Sequence, residues 1–415
     1  MQRYIVTGGA RLEGSVDVSG AKNAALPILA ASLLSDKTCV ISNVPILSDT
    51  RTMLEVLKRL GVEVNFENNR CTINSVNLKP AKVDEELMRK MRASSLVLGP
   101  LLSRLGHVRM SYPGGCSIGS RPIDLHLKGL RKMGARIEER HGYLEAKANK
   151  LKGTEIYLDF PSVGATENIM MAAVLAEGTT IIRNAAREPE IIDLQNFLNS
   201  MGAKIEGAGS GVIVITGVNG FVSAEHRVIP DRIEAATLMI GAAITKGNVL
   251  IKDAVYNHLE PVIAKLQEAG LEIIQEKEGI RVIGKEKIYP IDVKTLPYPG
   301  FPTDVQPQIM ALLALADGTS IVTENVFDGR FKHVNELRRM GANIQVEGRV
   351  AIIKGTSRLT GAIVEATDLR AGAALVLAGL AAEGVTVVEE IEHIERGYEG
   401  LEVKLATLGA QIKKE

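Results

Sequence analysis

LRRMGANI at 337–344 is the stretch that decides the fold, because the chain contains five more versions of it. The other copies are LKRLGVEV at 57–64, LRKMGARI at 130–137, LNSMGAKI at 198–205, LQEAGLEI at 266–273 and LATLGAQI at 405–412. Successive glycines of the six copies are 73, 68, 68, 71 and 68 residues apart. Such nearly constant spacing indicates a repeat architecture. Each glycine stands where a helix C-terminus needs a left-handed residue, and a β-rich segment follows it.

A second recurring phrase precedes each copy and consists of an Ala- and Leu-rich helix, a tight turn and a strand. The clearest versions are MAAVLAEGTTIIRN at 171–184, IGAAITKGNVLIKD at 240–253, LLALADGTSIVTEN at 312–325 and LAGLAAEGVTVVEE at 377–390. Looser versions lie at 29–43 and 99–112. These helices are apolar nearly all round, which predicts that they are buried. The second helix of each unit is more charged and should face solvent.

Six α/β units of about 70 residues in a chain of 415 residues predict two domains with three units each. The division is expected near residue 229, where HRVIPDR indicates a turn. The N-terminal strand RYIVTG lies far from the first repeat, and it could close the last unit by pairing beside the C-terminal strand. A long solenoid is the alternative, but capping repeats are not evident.

Charge and cysteine usage restrict the functional classes. The chain has 49 basic and 49 acidic residues, so its net charge is zero. It lacks the basic excess that would favour nucleic acid or an anionic membrane as a partner. No apolar run approaches a membrane span, and the N-terminus lacks the apolar region of a signal peptide. Three cysteines without a CxxC pair suit a reducing cytoplasm. No histidine spacing predicts a zinc site, so neither a structural nor a catalytic zinc ion is expected.

The buried helices begin in unusually ionic sequence. Ordinary N-capping explains residues such as Ser162 and Asp304, because short polar side chains accept hydrogen bonds from free N–H groups. Capping does not explain Lys22, Arg92 and Arg370, because a cation is unfavourable at the positive end of a helix. Repeated cations at helix starts therefore suggest a bound anion.

The loop YPGGCSIGSRP at 112–122 is the strongest candidate for a reactive group. Three glycines and two prolines indicate a loop, with Cys116 near its centre and Arg121 five residues later. A thiol near cations has a depressed pKa and is reactive. Cys39 and Cys71 fit inert cysteines better. The loop lacks the GK[ST] ending of a P-loop, and the chain has no GxGxxG fingerprint.

Several motifs together resemble one family. They are SGAKNAALPIL, RASSLVLGPLL, YPGGCSIGSRPIDLHL, PSVGATENIM, FPTDVQPQ, FDGRFKHVNELRRMGA, DLRAGAALVLAGLAAEG and ERGYEGLE. The whole chain resembles the UDP-N-acetylglucosamine 1-carboxyvinyltransferases, a branch of the enolpyruvyl transferases. The resemblance implies two inside-out α/β barrels of three units each. It places residues 22–228 in one domain, and residues 1–21 with 229–415 in the other.

The resemblance also implies roles for individual residues. Cys116 would protonate C3 of phosphoenolpyruvate, and it could form a covalent adduct at C2. Asp304 would accept the proton of the sugar 3′-hydroxyl. The phosphate would be held by Lys22, Arg121 and Arg396, and the carboxylate would face Lys22, Arg330 and Arg370. Asn23 and Asp304 would bind the amino sugar. The nucleotide would contact Arg92, Arg121, Pro122, Ile123, Asp124, Leu125, Ser162, Val163, Gly164 and Val326.

This assignment implies the first committed step of peptidoglycan synthesis, in a cytoplasmic monomer that fosfomycin inhibits and that needs no cofactor. One departure concerns residue 160, where some family members have a lysine and this chain has Phe160. Its share of diphosphate binding must come from elsewhere. We expect the loop and the two domains to close over the sugar nucleotide, because closure excludes water.

Two alternatives stay open at the level of sequence. The sister enzyme, which acts on shikimate 3-phosphate, shares the repeats and the cations, but the cysteine loop and the SVGAT motif argue against it. A non-catalytic six-repeat binding protein, such as a clamp on DNA, is disfavoured by the zero net charge and by the acidic residue at the candidate site.

Overall fold

A computed structural model describes residues 2–79, 85–112, 114, 123–140 and 142–415, with the backbone alone at residues 89 and 90. These residues form two compact units. We call the described residues between 20 and 229 the N-terminal unit, and residues 2–19 with Pro230–Glu415 the C-terminal unit. Each unit has its own hydrophobic core.

Helices and strands alternate along the described residues. The α-helices are α1 (Lys22–Ala31), α2 (Ser48–Arg59), α3 (Glu85–Lys90), α4 (Leu98–Leu105), α5 (Asp124–Lys132), α6 (Val163–Ala173), α7 (Pro189–Ser200), α8 (Arg232–Ile244), α9 (Tyr256–Glu268), α10 (Gln306–Leu313), α11 (Val334–Arg339), α12 (Leu369–Ala381) and α13 (Leu401–Thr407). Short 3-10 helices span Ser32–Leu34, Arg92–Val97, Thr303–Val305 and Ile391–Arg396.

The strands are short, and most follow a helix directly. They are β1 (Tyr4–Thr7), β2 (Glu13–Asp17), β3 (Cys39–Ser42), β4 (Glu63–Glu67), β5 (Arg70–Asn74), β6 (His107–Ser111), β7 (Arg136–Arg140), β8 (Tyr143–Lys147), β9 (Glu155–Tyr157), β10 (Thr179–Arg183), β11 (Lys204–Glu206), β12 (Val212–Thr216), β13 (Ala224–Arg227), β14 (Asn248–Lys252), β15 (Glu272–Glu276), β16 (Gly279–Ile283), β17 (Val293–Lys294), β18 (Thr319–Thr323), β19 (Asn343–Glu347), β20 (Val350–Lys354), β21 (Ile363–Glu365), β22 (Val385–Glu389) and β23 (Gln411–Lys414).

The six repeated glycines end their helices in the predicted way. Their φ angles lie between 86° and 104°, in the left-handed region that favours glycine. In every copy the N–H group after the glycine donates to the carbonyl of the leucine that opens the phrase, at 3.0–3.1 Å. This bond is the hallmark of the Schellman motif, which satisfies the last carbonyls of a helix and turns the chain into the next strand.

Five of the six described sheets share one pattern, in which an antiparallel core is flanked by a parallel strand; in the sixth, β6-β8-β7, the described strands are all antiparallel. The N-terminal unit has the orders β13-β3-β5-β4, β6-β8-β7 and β11-β12-β10-β9. The C-terminal unit has the orders β15-β16-β14-β2, β17-β18-β20-β19 and β21-β22-β1-β23. β1 runs antiparallel to β23, with Thr7 opposite Gln411, which confirms that the N-terminal strand closes the last repeat.

The apolar helices form the cores. All residues of α8 from Ile233 to Ile244 are buried, and α1, α6, α10 and α12 are buried almost as completely. The more charged helices bury one face, as α9 does with Leu259, Val262, Ile263 and Leu266. Helices inside and sheets outside make each unit an inside-out α/β fold, as predicted. No helix in the described part of the chain is long and apolar enough to cross a membrane.

Candidate active site

Asp304 lies between two buried arginines in the C-terminal unit. Its Oδ1 accepts a hydrogen bond from Arg330 Nη2 at 3.0 Å, and its Oδ2 accepts from Arg370 Nε at 3.2 Å and from Arg370 Nη2 at 3.1 Å. Both arginine side chains are 1% exposed, whereas that of Asp304 is 28% exposed. The structure therefore joins three of the predicted site residues in one ion cluster.

Three separate segments bring these side chains together, and Arg330 is supplied by the turn between β18 and α11. Asp304 lies in the 3-10 helix Thr303–Val305, which leads into α10. Arg370 lies in the first turn of α12, whose N-cap Asp368 accepts hydrogen bonds from the N–H groups of Arg370 and Ala371 at 2.8 and 3.1 Å. The Asp368 carboxylate also offsets the unfavourable position of a cation at a helix start.

The cluster has more positive charge and more donors than Asp304 can match. Two guanidinium groups face one carboxylate, and among the described residues Arg330 Nε and Arg370 Nη1 have no hydrogen-bond partner. Burial alone would lower the pKa of Arg370, but Tyr398, Asp304 and Asp231 outweigh burial and raise that pKa overall. Arg370 is thus fully charged at neutral pH, and the two arginines together offer donors that suit a carboxylate.

A buried tyrosine supports Arg370. The guanidinium carbon lies 5.1 Å from the centre of the Tyr398 ring, which is within cation–π distance. The Tyr398 hydroxyl lies 2.9 Å from Thr237 Oγ1 and 3.0 Å from Gln308 Nε2. Burial raises the pKa of Tyr398, so this phenol is neutral near pH 7 and the carboxylates balance the charge of Arg370.

Glu324 is a functional candidate that the sequence did not reveal. Its side chain is fully buried. Oε2 accepts from Thr303 Oγ1 at 3.0 Å, next to Asp304 in the chain. Oε1 accepts from Thr295 Oγ1 and from the N–H groups of Val326 and Phe327, at 2.8, 2.8 and 3.0 Å. One carboxylate therefore fixes both the segment before Asp304 and the loop that carries the half-buried Val326.

Lys22 has a carboxylate partner in the N-terminal unit. It is the first residue of α1, and its Nζ lies 2.7 Å from Oδ2 of Asp49 in the first turn of α2. The two side chains are 10% and 6% exposed. Cations at helix starts suggest a bound anion, yet at Lys22, as at Arg370, a carboxylate of the protein itself is already paired with the cation. Asn23 follows in the same turn and is half-buried.

The remaining described candidates lie at the ends of helices. Arg92 opens the 3-10 helix Arg92–Val97, and Arg396 closes the 3-10 helix Ile391–Arg396; both are half-buried. Ile123 is buried just before α5, Asp124 is exposed at its first position, and Leu125 is half-buried. Two of the predicted buried helices thus begin as 3-10 turns, at Arg92 and at Thr303.

The SVGAT motif forms the N-terminus of α6. Ser162 is its N-cap, and Ser162 Oγ accepts a hydrogen bond from Ala165 N at 3.4 Å. The first turn contains no acidic residue, and Ser162, Val163 and Gly164 are half-buried. A helix N-terminus with a positive partial charge and accessible N–H groups suits a phosphate.

His126 lies beneath this helix start in a fixed orientation. Asn168 Oδ1 accepts from Gly99 N at 2.7 Å, so the Asn168 amide nitrogen faces the other way. That nitrogen donates to the Ser95 carbonyl and to His126 Nδ1, both at 2.9 Å. Since Nδ1 accepts, the proton of a neutral His126 ring is on Nε2.

The central candidates of the loop, Cys116, Arg121 and Pro122, lie outside the described residues. The described cysteines, Cys39 and Cys71, are fully buried in β3 and β5. Burial raises the pKa of Cys39 to about 11 and that of Cys71 to about 12, which fits the prediction that both are inert. Within the described ranges, no group of three or more His, Cys, Asp or Glu side chains could hold a metal ion.

Comparisons with known proteins agree on one group of enzymes. The family model of EPSP synthase (3-phosphoshikimate 1-carboxyvinyltransferase) matches residues 6–405. The chain is 59% identical to "UDP-N-acetylglucosamine 1-carboxyvinyltransferase 1" of Carboxydothermus hydrogenoformans, over 100% of this chain and 98% of that protein. The enolpyruvyl transferase NikO from Streptomyces tendae superposes with a TM-score of 0.90 at 25% identity, covering 100% of this chain and 98% of that one.

The sister branch is more distant. EPSP synthase from Acinetobacter baumannii superposes with a TM-score of 0.79 at 21% identity, and the match covers the full length of both chains. Similarity at that level shows the shared fold alone.

Proposed function

Because this chain belongs to the EPSP synthase family and, within it, to the UDP-N-acetylglucosamine 1-carboxyvinyltransferases, we propose that it transfers the 1-carboxyvinyl group of phosphoenolpyruvate to the 3′-hydroxyl of UDP-N-acetylglucosamine, with release of phosphate. The structural observation that carries the proposal is the Arg330–Asp304–Arg370 cluster. It unites a partly exposed carboxylate, which can act as a base, with two buried cations that can bind a carboxylate.

The chemistry needs an acid and a base that act in turn. In the first step the 3′-oxygen bonds to C2 of phosphoenolpyruvate, its proton leaves to Asp304, and C3 gains a proton from Cys116. In the second step C3 loses a proton and the C2–O bond to phosphate breaks, which forms the vinyl ether and phosphate. A carboxylate and a thiol with different proton affinities can divide this work.

The cations divide the charges of phosphoenolpyruvate. Arg330 and Arg370 would hold its carboxylate, because buried guanidinium groups offer forked donors that match carboxylate geometry. Lys22 would face both the carboxylate and the phosphate, and Arg121 and Arg396 would complete the phosphate site. With the diphosphate of the acceptor, about five negative charges must be balanced, which explains why so many cations are needed.

The nucleotide site would be built on α5 and α6. The N–H groups at the start of α6 suit the diphosphate, and Asn23, Arg92, residues 121–125 and Val326 would contact the rest of the acceptor. Phe160 is 43% exposed and cannot replace a lysine as a cation. The Nε2–H edge of His126 lies against Gly164 in the first turn of α6, and we propose that it supplies part of the missing diphosphate binding.

We also propose that the enzyme works as a cytoplasmic monomer in the first committed step of peptidoglycan synthesis. The name of the 59% identical relative supports the reaction, and a chain with three cysteines, of which the two described ones are buried, suits a reducing compartment.

Shikimate 3-phosphate is the alternative acceptor, since the matched family model is named for that reaction. The small shikimate ring would leave the polar groups around Ser162–Gly164 without partners. Buried polar groups without partners cost about 1–3 kcal/mol each, so the two acceptors should be discriminated strongly.

Phosphate release with paired acceptors tests the proposal. Purified protein with phosphoenolpyruvate should release phosphate when UDP-N-acetylglucosamine is added, and shikimate 3-phosphate should give no release above background. A higher rate with shikimate 3-phosphate would overturn the proposed acceptor, and no release with either would overturn the enzymatic role. Asp304→Asn should abolish release, because an amide cannot take the hydroxyl proton.

A further inference from the structure

We propose that Asp304 occupies the binding site for the substrate carboxylate, and that phosphoenolpyruvate displaces it from Arg330 and Arg370. This inference rests on the proposed function, which assigns those two arginines to the substrate carboxylate and Asp304 to the 3′-hydroxyl proton. The structure adds that the catalytic carboxylate already contacts both arginines.

The contact geometry makes the two carboxylates competitors. Asp304 Oδ2 accepts from both Nε and Nη2 of Arg370, which form the edge of the guanidinium group that best matches a carboxylate. Asp304 Oδ1 accepts a hydrogen bond from Nη2 of Arg330 at the same time. A substrate carboxylate cannot use these donors while Asp304 holds them.

The exposures indicate which partner moves. Arg330 and Arg370 are 1% exposed, and the Tyr398 ring lies over the Arg370 guanidinium, so the arginines are held in place. Asp304 is 28% exposed and lies on a short 3-10 helix, so its side chain can rotate towards solvent. Displacement therefore requires a side-chain rotation of Asp304 and no rearrangement of the buried cations.

The partnerless donors favour a substrate carboxylate over Asp304. Within the described part of the chain, Arg330 Nε and Arg370 Nη1 are buried and have no hydrogen-bond partner. Because both donor atoms are buried while Asp304 is in place, a carboxylate can reach them only as Asp304 rotates away, and they then add to its binding. The cluster keeps one carboxylate for its two guanidinium groups throughout, which avoids the cost of leaving buried charges uncompensated.

The exchange would couple substrate binding to the activation of the base. A carboxylate paired with two guanidinium groups is a poor proton acceptor, because the positive charges stabilise its ionised form. Once displaced, Asp304 is released from both cations and becomes a better acceptor for the 3′-hydroxyl proton. The base is thus activated only when phosphoenolpyruvate is in place.

Calorimetric titration with phosphoenolpyruvate alone tests the competition. The titrations use a Cys116→Ala background, because a thiol adduct with the substrate would obscure the equilibrium. Adding Asp304→Asn should tighten binding by about tenfold or more, because a neutral amide competes weakly for the guanidinium donors. Binding that is unchanged or weaker would overturn the proposal. Far-ultraviolet circular dichroism checks that each variant is folded.

Asp231→Asn is the matched control. The charge of Asp231 also acts on Arg370, and Asp231 caps α8 through the N–H groups of Ile233 and Glu234, a role that asparagine fills as well. If the removal of one negative charge were sufficient, Asp231→Asn would tighten binding as much as Asp304→Asn, and the exchange would be refuted. The exchange predicts a change of less than about threefold.

A crystal structure of the Cys116→Ala protein with phosphoenolpyruvate gives the direct view. The exchange predicts the substrate carboxylate on Arg330 and Arg370, with Asp304 beyond hydrogen-bond distance of both. Bound substrate with both Asp304 ion pairs intact would refute it. The proposed function is judged separately, by phosphate release from the wild-type protein. If the wild type turns over but Asp304→Asn does not bind phosphoenolpyruvate more tightly, the exchange is refuted and the proposed function stands.

Discussion

Gly164 lies against the edge of the His126 ring, so closely that a β-carbon on residue 164 would come within 3.0 Å of Cε1 and 3.2 Å of Nε2. The ring cannot turn away freely, because Asn168 holds Nδ1 at 2.9 Å. Glycine at this position therefore allows the first turn of α6 and the His126 ring to lie in contact.

Gly164→Ala should weaken acceptor binding. The added methyl group must move either the start of α6 or the ring, and such overpacking costs about 1–3 kcal/mol of stability. We expect KM for UDP-N-acetylglucosamine to rise about tenfold or more, with a smaller effect on KM for phosphoenolpyruvate.

Gly220→Ala is the control for this substitution, because a β-carbon there would meet no atom within 4 Å. Its steady-state kinetics should match the wild type. If Gly164→Ala also retains wild-type KM values, the assignment of the α6 start to the diphosphate is wrong.

Glu324→Ala should destabilise the C-terminal unit. The substitution leaves the N–H groups of Val326 and Phe327 and two threonine hydroxyls without their acceptor, which predicts a loss of about 3 kcal/mol or more in the free energy of unfolding. Glu324→Gln keeps one acceptor oxygen and should cost about 1 kcal/mol. Urea denaturation measures both. Equal stability of the two variants would show that the carboxylate does not organise this loop.

Stability should fall in mild acid because of His333. Burial lowers the pKa of this histidine from 6.5 to about 4, and its Nδ1 lies 3.1 Å from the Arg330 carbonyl. In the unfolded chain His333 becomes protonated below about pH 6.5, whereas in the folded chain it stays neutral down to about pH 4. The free energy of unfolding therefore decreases as the pH falls through this window. At pH 5 the His333 contribution to this loss is about 2 kcal/mol relative to pH 7.5.

His333→Asn tests the source of that loss, because asparagine keeps a donor for the Arg330 carbonyl and does not titrate. The variant should lose less stability than the wild type between pH 7.5 and pH 5, as measured by urea midpoints. Identical losses in the two proteins would mean that another group is responsible.

Thiol labelling should distinguish the three cysteines. Cys39 and Cys71 are fully buried and their pKa values are raised, so the native protein should react at Cys116 alone. Fosfomycin should modify the same residue, and UDP-N-acetylglucosamine should change its rate of reaction. Cys116→Ala should take up no label until denaturant is added. Peptide mass analysis that finds label on native Cys39 or Cys71 would contradict the assignment.

The repeated part of the fold could be predicted because it depends on local sequence. Gly61 and its five counterparts each supply the left-handed residue that a helix end needs. This requirement can be recognised within each eight-residue copy of the repeated phrase. The position of β1 beside β23 could be predicted because a lone strand outside the repeats needs strands to pair with, and β1 lies between β22 and β23.

The partners of the site residues could not be predicted in this way, because they are distant in sequence. Asp49 beside Lys22 and Glu324 beside Thr303 are ordinary acidic residues in the sequence, and only the fold brings them to these positions. The contact of Asp304 with both arginines was also missed. The resemblance assigned Asp304 to the 3′-hydroxyl of the sugar and Arg330 and Arg370 to the carboxylate of phosphoenolpyruvate, so no contact among the three was expected.

Transfer of a carbon-13 label from phosphoenolpyruvate to the sugar nucleotide distinguishes enolpyruvyl transfer from simple hydrolysis of phosphoenolpyruvate. Phosphoenolpyruvate labelled at C3 is incubated with the wild-type protein and UDP-N-acetylglucosamine, and the sugar nucleotide is isolated and examined by NMR and mass spectrometry. Enolpyruvyl transfer predicts a labelled methylene carbon within the 1-carboxyvinyl group, whose C2 is bonded to the 3′-oxygen, and one phosphate released for each label transferred. Phosphate release that leaves the sugar nucleotide unlabelled would contradict it.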